Sequence, residues 1–177
     1  MRVKVISFTF LTYLLLTGYL AGVDSEFQSH IARSYPGFKI LSPNEFERSI
    51  STETPTLGLV IGQFNYDSLQ DFACLIRAAE KKWDPGGYYY YEGKFVVCHG
   101  LEDGGYQCLE LSSMPISVPY FSYLLRAAPQ KTYCCSDNGK VPIDVKTDAI
   151  AWYVPEKGGS HYIYQSDGSY LNCVVSD

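Results

Sequence analysis

The chain has 177 residues, with 14 Lys or Arg against 19 Asp or Glu, and its net charge is −5. A chain of this length is long enough for one domain with a substantial apolar core. Binding to nucleic acid requires a basic face that neutralises phosphates, so this composition argues against a nucleic-acid partner. An acidic surface instead attracts basic proteins.

The first 22 residues have the layout of a cleaved signal peptide. Arg2 and Lys4 precede an apolar stretch over residues 5–20, and small residues follow it. This stretch is shorter than the roughly 20 residues of a membrane span, although an uncleaved anchor is the alternative. We expect cleavage between Ala21 and Ser25, contact with the membrane only before cleavage, and a periplasmic or secreted product. The mature chain, residues 23–177, is predicted to form a single domain with a net charge of −7.

All six cysteines lie beyond the signal peptide, and an even number in an exported chain favours disulfides. Cys98 and Cys108 lie on predicted strands around the Gly-rich turn HGLEDGG, so they are expected to pair. Cys173 is expected to pair with Cys134 or Cys135. Cys74 either pairs with the remaining cysteine or is a buried thiol.

Three segments have helical signals. The first is FQSHIARSYPGF, residues 27–38, which should end before its Pro-Gly pair. The second runs over residues 42–50, where Ser42, a following Pro and Glu45 form a capping-box pattern. The third is PYFSYLLRAA, residues 119–128, in which Pro comes first and the apolar residues share one helical face.

The remaining pattern predicts antiparallel strands. AEKKWDPGG, residues 79–87, is interpreted as a surface loop, and Glu92-Gly93 as a tight turn between two strands. The predicted strands are residues 57–64, 72–78, 88–91, 94–98, 106–111, 131–135, 149–154, 161–166 and 169–175. The predicted fold class is therefore α+β: mainly an antiparallel sheet of meanders and hairpins, with two or three short helices, held by disulfides.

The loop between the first two predicted strands, within GQFNYDSLQDFA, carries oxygen-bearing side chains at near-alternate positions. Calcium loops use this spacing, so Asn65, Asp67 and Asp71 are candidate ligands. Gln63 provides a neutral group where a charged first ligand is usual, and Ser68 replaces the Gly of the bend. The alternative interpretation is that Asn65 and Asp67 cap the turn by bonding to its backbone.

This loop resembles the FG-GAP type loop of integrin-like and related exported bacterial proteins, whose pattern is D-x-N-x-D-G-x-x-D between two strands. The resemblance covers about a dozen residues and their flanking strands. It implies calcium as a cofactor, whereas the residues themselves predict no cofactor. A single copy of the loop is too little for a propeller, which needs several blades.

Two histidine positions, His99 and His161, are the candidates for a catalytic group in this sequence. Cys98 and His99 are neighbours on a predicted strand and therefore point to opposite faces. His161, near Ser160 and Glu156, is the one candidate for a Ser–His pair, and no GxSxG or HExxH motif supports it. We therefore predict a protein without enzymatic activity.

Acidic Gly-rich turns beside aromatic residues predict a protein-binding surface. Its candidate residues are Glu102, Asp103, Tyr88, Tyr89, Tyr90 and Asp167. The alternative for each Tyr is a cross-strand contact that stabilises the sheet.

The layout as a whole is similar to that of small exported bacterial proteins, including periplasmic immunity proteins and lysozyme inhibitors. This resemblance implies a rigid domain that inserts a loop into the active cleft of a basic toxin or hydrolase. Two alternatives stay open: a calcium-binding structural or adhesion module of the FG-GAP type, and a small secreted hydrolase.

Overall fold

The computed structural model describes residues 25–47, 57–136, 139–155 and 157–175. The chain divides into two compact units, Met1–Gly37 and Phe38–Asp177. In the described part of the first unit, helix α1 covers residues 25–34, close to the predicted first helix. No helix within the described ranges combines the length and the apolarity that a membrane span requires. The predicted signal peptide lies outside the described residues.

The second unit is built from eleven strands in its described part. They are β1 (Phe38–Ile40), β2 (Leu59–Gly62), β3 (Asp71–Asp84), β4 (Tyr88–Gly100), β5 (Tyr106–Ile116), β6 (Tyr123–Ala127), β7 (Gln130–Ser136), β8 (Gly139–Val145), β9 (Ala149–Val154), β10 (Gly158–Tyr164) and β11 (Tyr170–Val175). The mainly antiparallel fold class is confirmed, and the described residues contain one α-helix where two or three short helices were expected.

The first sheet has the order β1-β3-β4-β5, and β2 also pairs with β3. Its two long central strands overturn two predictions. Residues 79–84 continue β3 instead of forming a loop, and Glu92-Gly93 lies inside β4 instead of turning the chain. Gly93 is required there by packing, because an added Cβ would overlap the Ile116 side chain.

The second sheet has the order β11-β10-β9-β6, and β7 and β8 form a separate two-stranded ribbon. The predicted helix over residues 119–128 is wrong. Strand β6 occupies its second half, with Leu124 opposite Trp152 of β9 and fully buried. Local helical periodicity is overridden here by pairing with the sheet, as tertiary context commonly does.

The hydrophobic core of this unit lies between the two sheets. Leu75, Phe95 and Val97 from the first sheet form one buried cluster with Leu124 and Ile150 from the second. Phe95 contributes edge-to-face contacts, with its ring centroid 4.8 Å from that of Tyr162. Strand alternation explains this arrangement, since every second residue of each strand faces the opposing sheet.

The predicted helix over residues 42–50 is, in its described part, a single 3-10 turn over Pro43–Glu45. The capping box is present, because the Ser42 backbone N–H donates to Glu45 Oε2 at 2.9 Å. Phe46 is already extended and bridges to Tyr120. Residues 48–50 lie outside the described ranges.

Two disulfides hold the second unit. Cys98 pairs with its cross-strand neighbour Cys108, which confirms the pairing expected from the hairpin. Cys134 pairs with Cys173 and links the β7–β8 ribbon to β11. Cys74 is outside both bridges and fully buried, which raises the pKa of its thiol. Disulfides of this kind indicate an oxidising environment, extracellular or periplasmic.

Candidate functional site

The loop between β2 and β3 is organised around the buried carboxylate of Asp71. Its Oδ2 accepts hydrogen bonds from the backbone N–H groups of Phe64 (2.7 Å) and Asn65 (3.2 Å), and its Oδ1 accepts one from Gly100 N–H (3.0 Å). The side chain is fully buried. Asp71 therefore binds backbone amides of its own chain, two of them in this loop, and its carboxylate is shielded from solvent.

Asn65 and Asp67 bond to each other and to the turn. Asn65 Nδ2 donates to Asp67 Oδ2 at 2.6 Å, while Asn65 Oδ1 accepts from the Asp67 backbone N–H at 3.1 Å. Asp67 Oδ1 also accepts from Leu69 N–H at 2.8 Å. These are the bonds of a capped turn. Because Asp71 is directed inward, the three predicted ligands do not form one calcium-binding set, and the residues do not fit that ion.

A polar contact joins this loop to the second sheet. His99 Nδ1 lies 3.3 Å from Asp71 Oδ2, outside hydrogen-bond geometry. On the other side, His99 Nε2 is 3.3 Å from the Tyr170 hydroxyl, and the two rings stack. Burial, followed by the charge of Asp71, raises the pKa of Tyr170. The sequence did not indicate this group, whose members come from three separate strands.

Two shallow grooves border the same loop. One has a volume of about 310 Å³ and includes Asn65, Asp67 and Lys146 in its wall. The other, of about 280 Å³, lies beside Arg126. Asp148 lines both grooves, and its Oδ2 accepts a hydrogen bond from Gln63 N–H at 2.9 Å. Both grooves are open and lined mainly by polar residues.

The predicted acidic binding residues lie in exposed turns near this loop. Glu102 and Asp103 are in the β4–β5 turn, two and three residues after Gly100, and Asp167 is in the β10–β11 turn, between the strands that supply Tyr164 and Tyr170. Asp167 Oδ1 accepts hydrogen bonds from the Ser169 backbone and hydroxyl, which lower the pKa of Asp167. The structure therefore places the acidic turns at one end of β4.

The predicted aromatic residues lie at the opposite end of that strand. Tyr88, Tyr89 and Tyr90 begin β4, while His99 and Gly100 end it. Ten residues of extended strand separate Tyr89 from His99, which corresponds to roughly 33 Å. The six predicted binding residues therefore form two separate surfaces and not one.

The aromatic end is a projecting β-hairpin, here called the arm and defined as residues 81–90. Residues 81–84 pair with residues 88–91, whereas β1 pairs with β3 only through residue 78 and β5 pairs with β4 only from Tyr91. From the Lys81–Tyr91 pair to the tip, the two strands of the arm therefore pair with each other and with no other described strand. At its tip, Gly87 N–H donates to Asp84 O at 2.9 Å, and Gly87 has the positive φ of 95° that favours glycine.

Large aromatic side chains cover the arm and remain in solvent. The exposed fractions are 56% for Trp83, 50% for Tyr88 and 62% for Tyr89. Trp83 and Tyr89 are direct cross-strand neighbours with ring centroids 4.7 Å apart. The sequence interpretation named the tyrosines but placed Trp83 in a loop. The signal for a hairpin was present, because Asp-Pro-Gly-Gly lies between two segments of strand-forming residues.

His161, the one candidate that the sequence offered for a Ser–His pair, is inside the second sheet. It is 6% exposed, and burial lowers the pKa of its imidazole. Its neighbour Ser160 points to the other face of β10, since successive strand residues alternate. The geometry thus gives no Ser–His couple at this position, and Glu156 lies outside the described residues.

Comparison with known proteins gives no relative: no family model matches this sequence, and neither a curated protein nor a solved structure shows significant similarity to it.

Proposed function

We propose that this chain is an exported, non-catalytic binding protein that acts as an inhibitor or immunity protein. Its partner is a basic secreted antibacterial effector or wall hydrolase, and the arm enters the partner's cleft. The observation that carries this proposal is the self-paired arm with Trp83, Tyr88 and Tyr89 each at least half exposed.

The exposed aromatic residues support a role in binding because the fold leaves at least half of each side chain accessible to a partner. Trp and Tyr are enriched among the residues that dominate protein interfaces. A contiguous group of them on a monomer's surface is typical of an interaction site. On the arm they are presented on a narrow projection, a shape that fits a concave partner better than a flat one.

The base of the arm is held rigidly, which favours tight binding. The Arg77 guanidinium stacks on Tyr91, with Cζ 3.8 Å from the ring centroid, and forms an ion pair with Glu45. Further out, Lys82 Nζ is 2.6 Å from Glu92 Oε2 across the two strands. A preorganised projection loses less conformational entropy on binding than a mobile loop does.

The surface charge supports a basic partner. The chain carries 19 acidic against 14 basic side chains, and removal of a signal peptide would increase this difference. The acidic turns with Glu102 and Asp103 lie far from the arm, so they act through the long-range field and not through contact. Periplasmic location is part of the same proposal.

Depletion of wall-degrading activity tests the function. The purified chain is immobilised and exposed to a secreted fraction containing antibacterial effectors, and the unbound wall-degrading activity is measured. Wild type should remove activity, and a Trp83→Ala/Tyr89→Ala variant should not. Tyr133→Ala is the matched control, since Tyr133 is 59% exposed on β7, outside the arm. Equal depletion by the arm variant and wild type contradicts the proposal.

A further inference from the structure

Strand alternation divides the side chains of the arm between two faces. Lys81 and Trp83 lie opposite Tyr91 and Tyr89, so these four share what we call the cationic aromatic face. The other face carries Lys82 and Asp84 opposite Tyr90 and Tyr88, followed by Glu92. The register therefore places on opposite faces charged and aromatic side chains that are adjacent in the sequence.

The carboxylates at the arm's paired positions fall on the second face. Glu92 binds Lys82 there, and Asp84 Oδ1 accepts the Gly86 N–H of the tip at 2.6 Å. The positive charge of Lys82 is thus matched within the chain. No carboxylate of the paired positions shares the cationic aromatic face.

Lys81 is the available cation of the cationic aromatic face. Its Nζ lies 5.7 Å from the Tyr91 ring centroid, and it forms no salt bridge with any residue that the structure describes. Arg77, at the base, is already paired with Glu45 and has little exposed area. A partner that meets this face therefore encounters one unpaired ammonium group between Trp83 and the sheet.

We infer that the cationic aromatic face fits a cleft whose floor carries paired carboxylates and whose walls have apolar subsites. Glycoside hydrolases have this arrangement, because two carboxyl groups flank the bond that they cleave. Lys81 forms an ion pair with these carboxylates, while Trp83 and Tyr89 occupy the positions of sugar rings. The inference rests on the proposed inhibitory function and specifies the partner as a glycan-cleaving wall hydrolase.

Binding to purified muramidases tests this inference, with lysozyme as the first probe. Each enzyme is used in its active form and with both catalytic carboxylates replaced by amides. Lys81→Met should weaken binding about 30-fold or more, because a desolvated charge partner is lost. Lys82→Met is the matched control on the other face and should change binding less than about threefold. The amidated enzymes should bind as weakly as active enzyme binds the Lys81→Met variant.

Several results overturn the inference. Equal losses for Lys81→Met and Lys82→Met, or undiminished binding to the amidated enzymes, exclude a role for Lys81 at catalytic carboxylates. If no muramidase binds, this partner class is excluded. The proposed function is tested independently, by whether the wild type depletes wall-degrading activity and the Trp83→Ala/Tyr89→Ala variant does not. If the wild type binds soluble wall glycan or anionic vesicles and Trp83→Ala abolishes this binding, the cationic aromatic face is a site for those ligands instead. Thermal unfolding of each variant verifies that it is folded.

Discussion

Arg77 and Glu45 form an ion pair between the 3-10 turn and β3, and the same guanidinium packs on the ring of Tyr91. One side chain thus joins the N-terminal edge of the second unit to the point where the arm leaves the sheet. Both partners are almost fully buried, with side-chain exposures of 11% for Arg77 and 9% for Glu45.

The substitution Glu45→Gln should lower the free energy of unfolding by about 3 kcal/mol. Removing one partner of a buried ion pair leaves the other charge without compensation in a poorly solvated position. Urea unfolding followed by tryptophan fluorescence measures the change. Glu92→Gln is the control, because its ion pair with Lys82 is exposed to solvent and should leave the midpoint unchanged. Equal effects of both substitutions would contradict the assignment.

The same pair should make stability depend on pH in the acidic range. Burial alone would raise the pKa of Glu45, but hydrogen bonds from Ser42 and Arg77 and the charge of Arg77 outweigh it and lower the pKa below its ordinary value of 4.5. A carboxyl whose pKa is lowered by folding contributes stability that is complete above its unfolded pKa. This contribution is lost as the pH falls through the folded pKa.

Unfolding measurements between pH 3 and pH 7 verify this dependence. The difference in unfolding free energy between wild type and Glu45→Gln should be constant above about pH 5.5 and shrink below pH 4.5. A difference that is independent of pH would show that the carboxylate charge does not stabilise the fold.

The sequence predicted much of the sheet, because hairpin turns and alternation are local signals. The closing hairpin, residues 161–175, and the Cys98–Cys108 pairing are examples. The errors at Glu92-Gly93 and over residues 119–128 have one cause in common, since contacts with residues distant in sequence decide both segments. Glycine is typical of turns, yet Gly93 lies within β4, where a side chain at this position would overlap that of Ile116.

The candidate site was less predictable than the fold. Tyr88, Tyr89 and Tyr90 were indicated by their residue type, but their separation from Glu102 and Asp103 follows from the uninterrupted length of β4. Lys81 and Lys82 are adjacent in the chain and differ only in the face that the register gives them. A β-bulge after Arg77 sets that register, and no local pattern indicates it.

Asp71 and Asp67 should respond differently to amide substitution. Asp71→Asn replaces an oxygen that accepts backbone N–H groups with a donor, so it should cost about 3 kcal/mol of stability. Asp67→Asn keeps the acceptor for Leu69 N–H and loses the bond from Asn65 Nδ2 in an exposed turn, so it should cost about 1 kcal/mol or less. Millimolar calcium or a chelator should leave the thermal midpoint of the wild type unchanged. A rise in the midpoint with calcium that Asp67→Asn abolishes would restore the calcium-loop hypothesis.

The two disulfides should contribute unequally to stability. Cys134 and Cys173 are 39 residues apart, and Cys98 and Cys108 are 10 residues apart. Closing the longer loop restricts the unfolded chain more, by roughly 1 kcal/mol in the chain-entropy description. Cys134→Ser/Cys173→Ser should therefore destabilise the protein more than Cys98→Ser/Cys108→Ser, as measured by urea unfolding. The reverse order would mean that packing around the bridges dominates over loop closure.

The two ends of β4 should control different steps of binding. A variant with Glu102→Gln, Asp103→Asn and Asp167→Asn retains side-chain acceptors for the turns while losing three negative charges. Because these charges are about 33 Å from the arm along extended strand, they should accelerate encounter with a basic partner without touching it. Surface plasmon resonance with a basic muramidase should show slower association at low salt, a weaker salt dependence of association and an unchanged dissociation rate.

Trp83→Ala should show the opposite pattern, with faster dissociation and an unchanged association rate, because its ring acts only after contact. Faster dissociation of the charge variant would instead place the acidic turns in the interface.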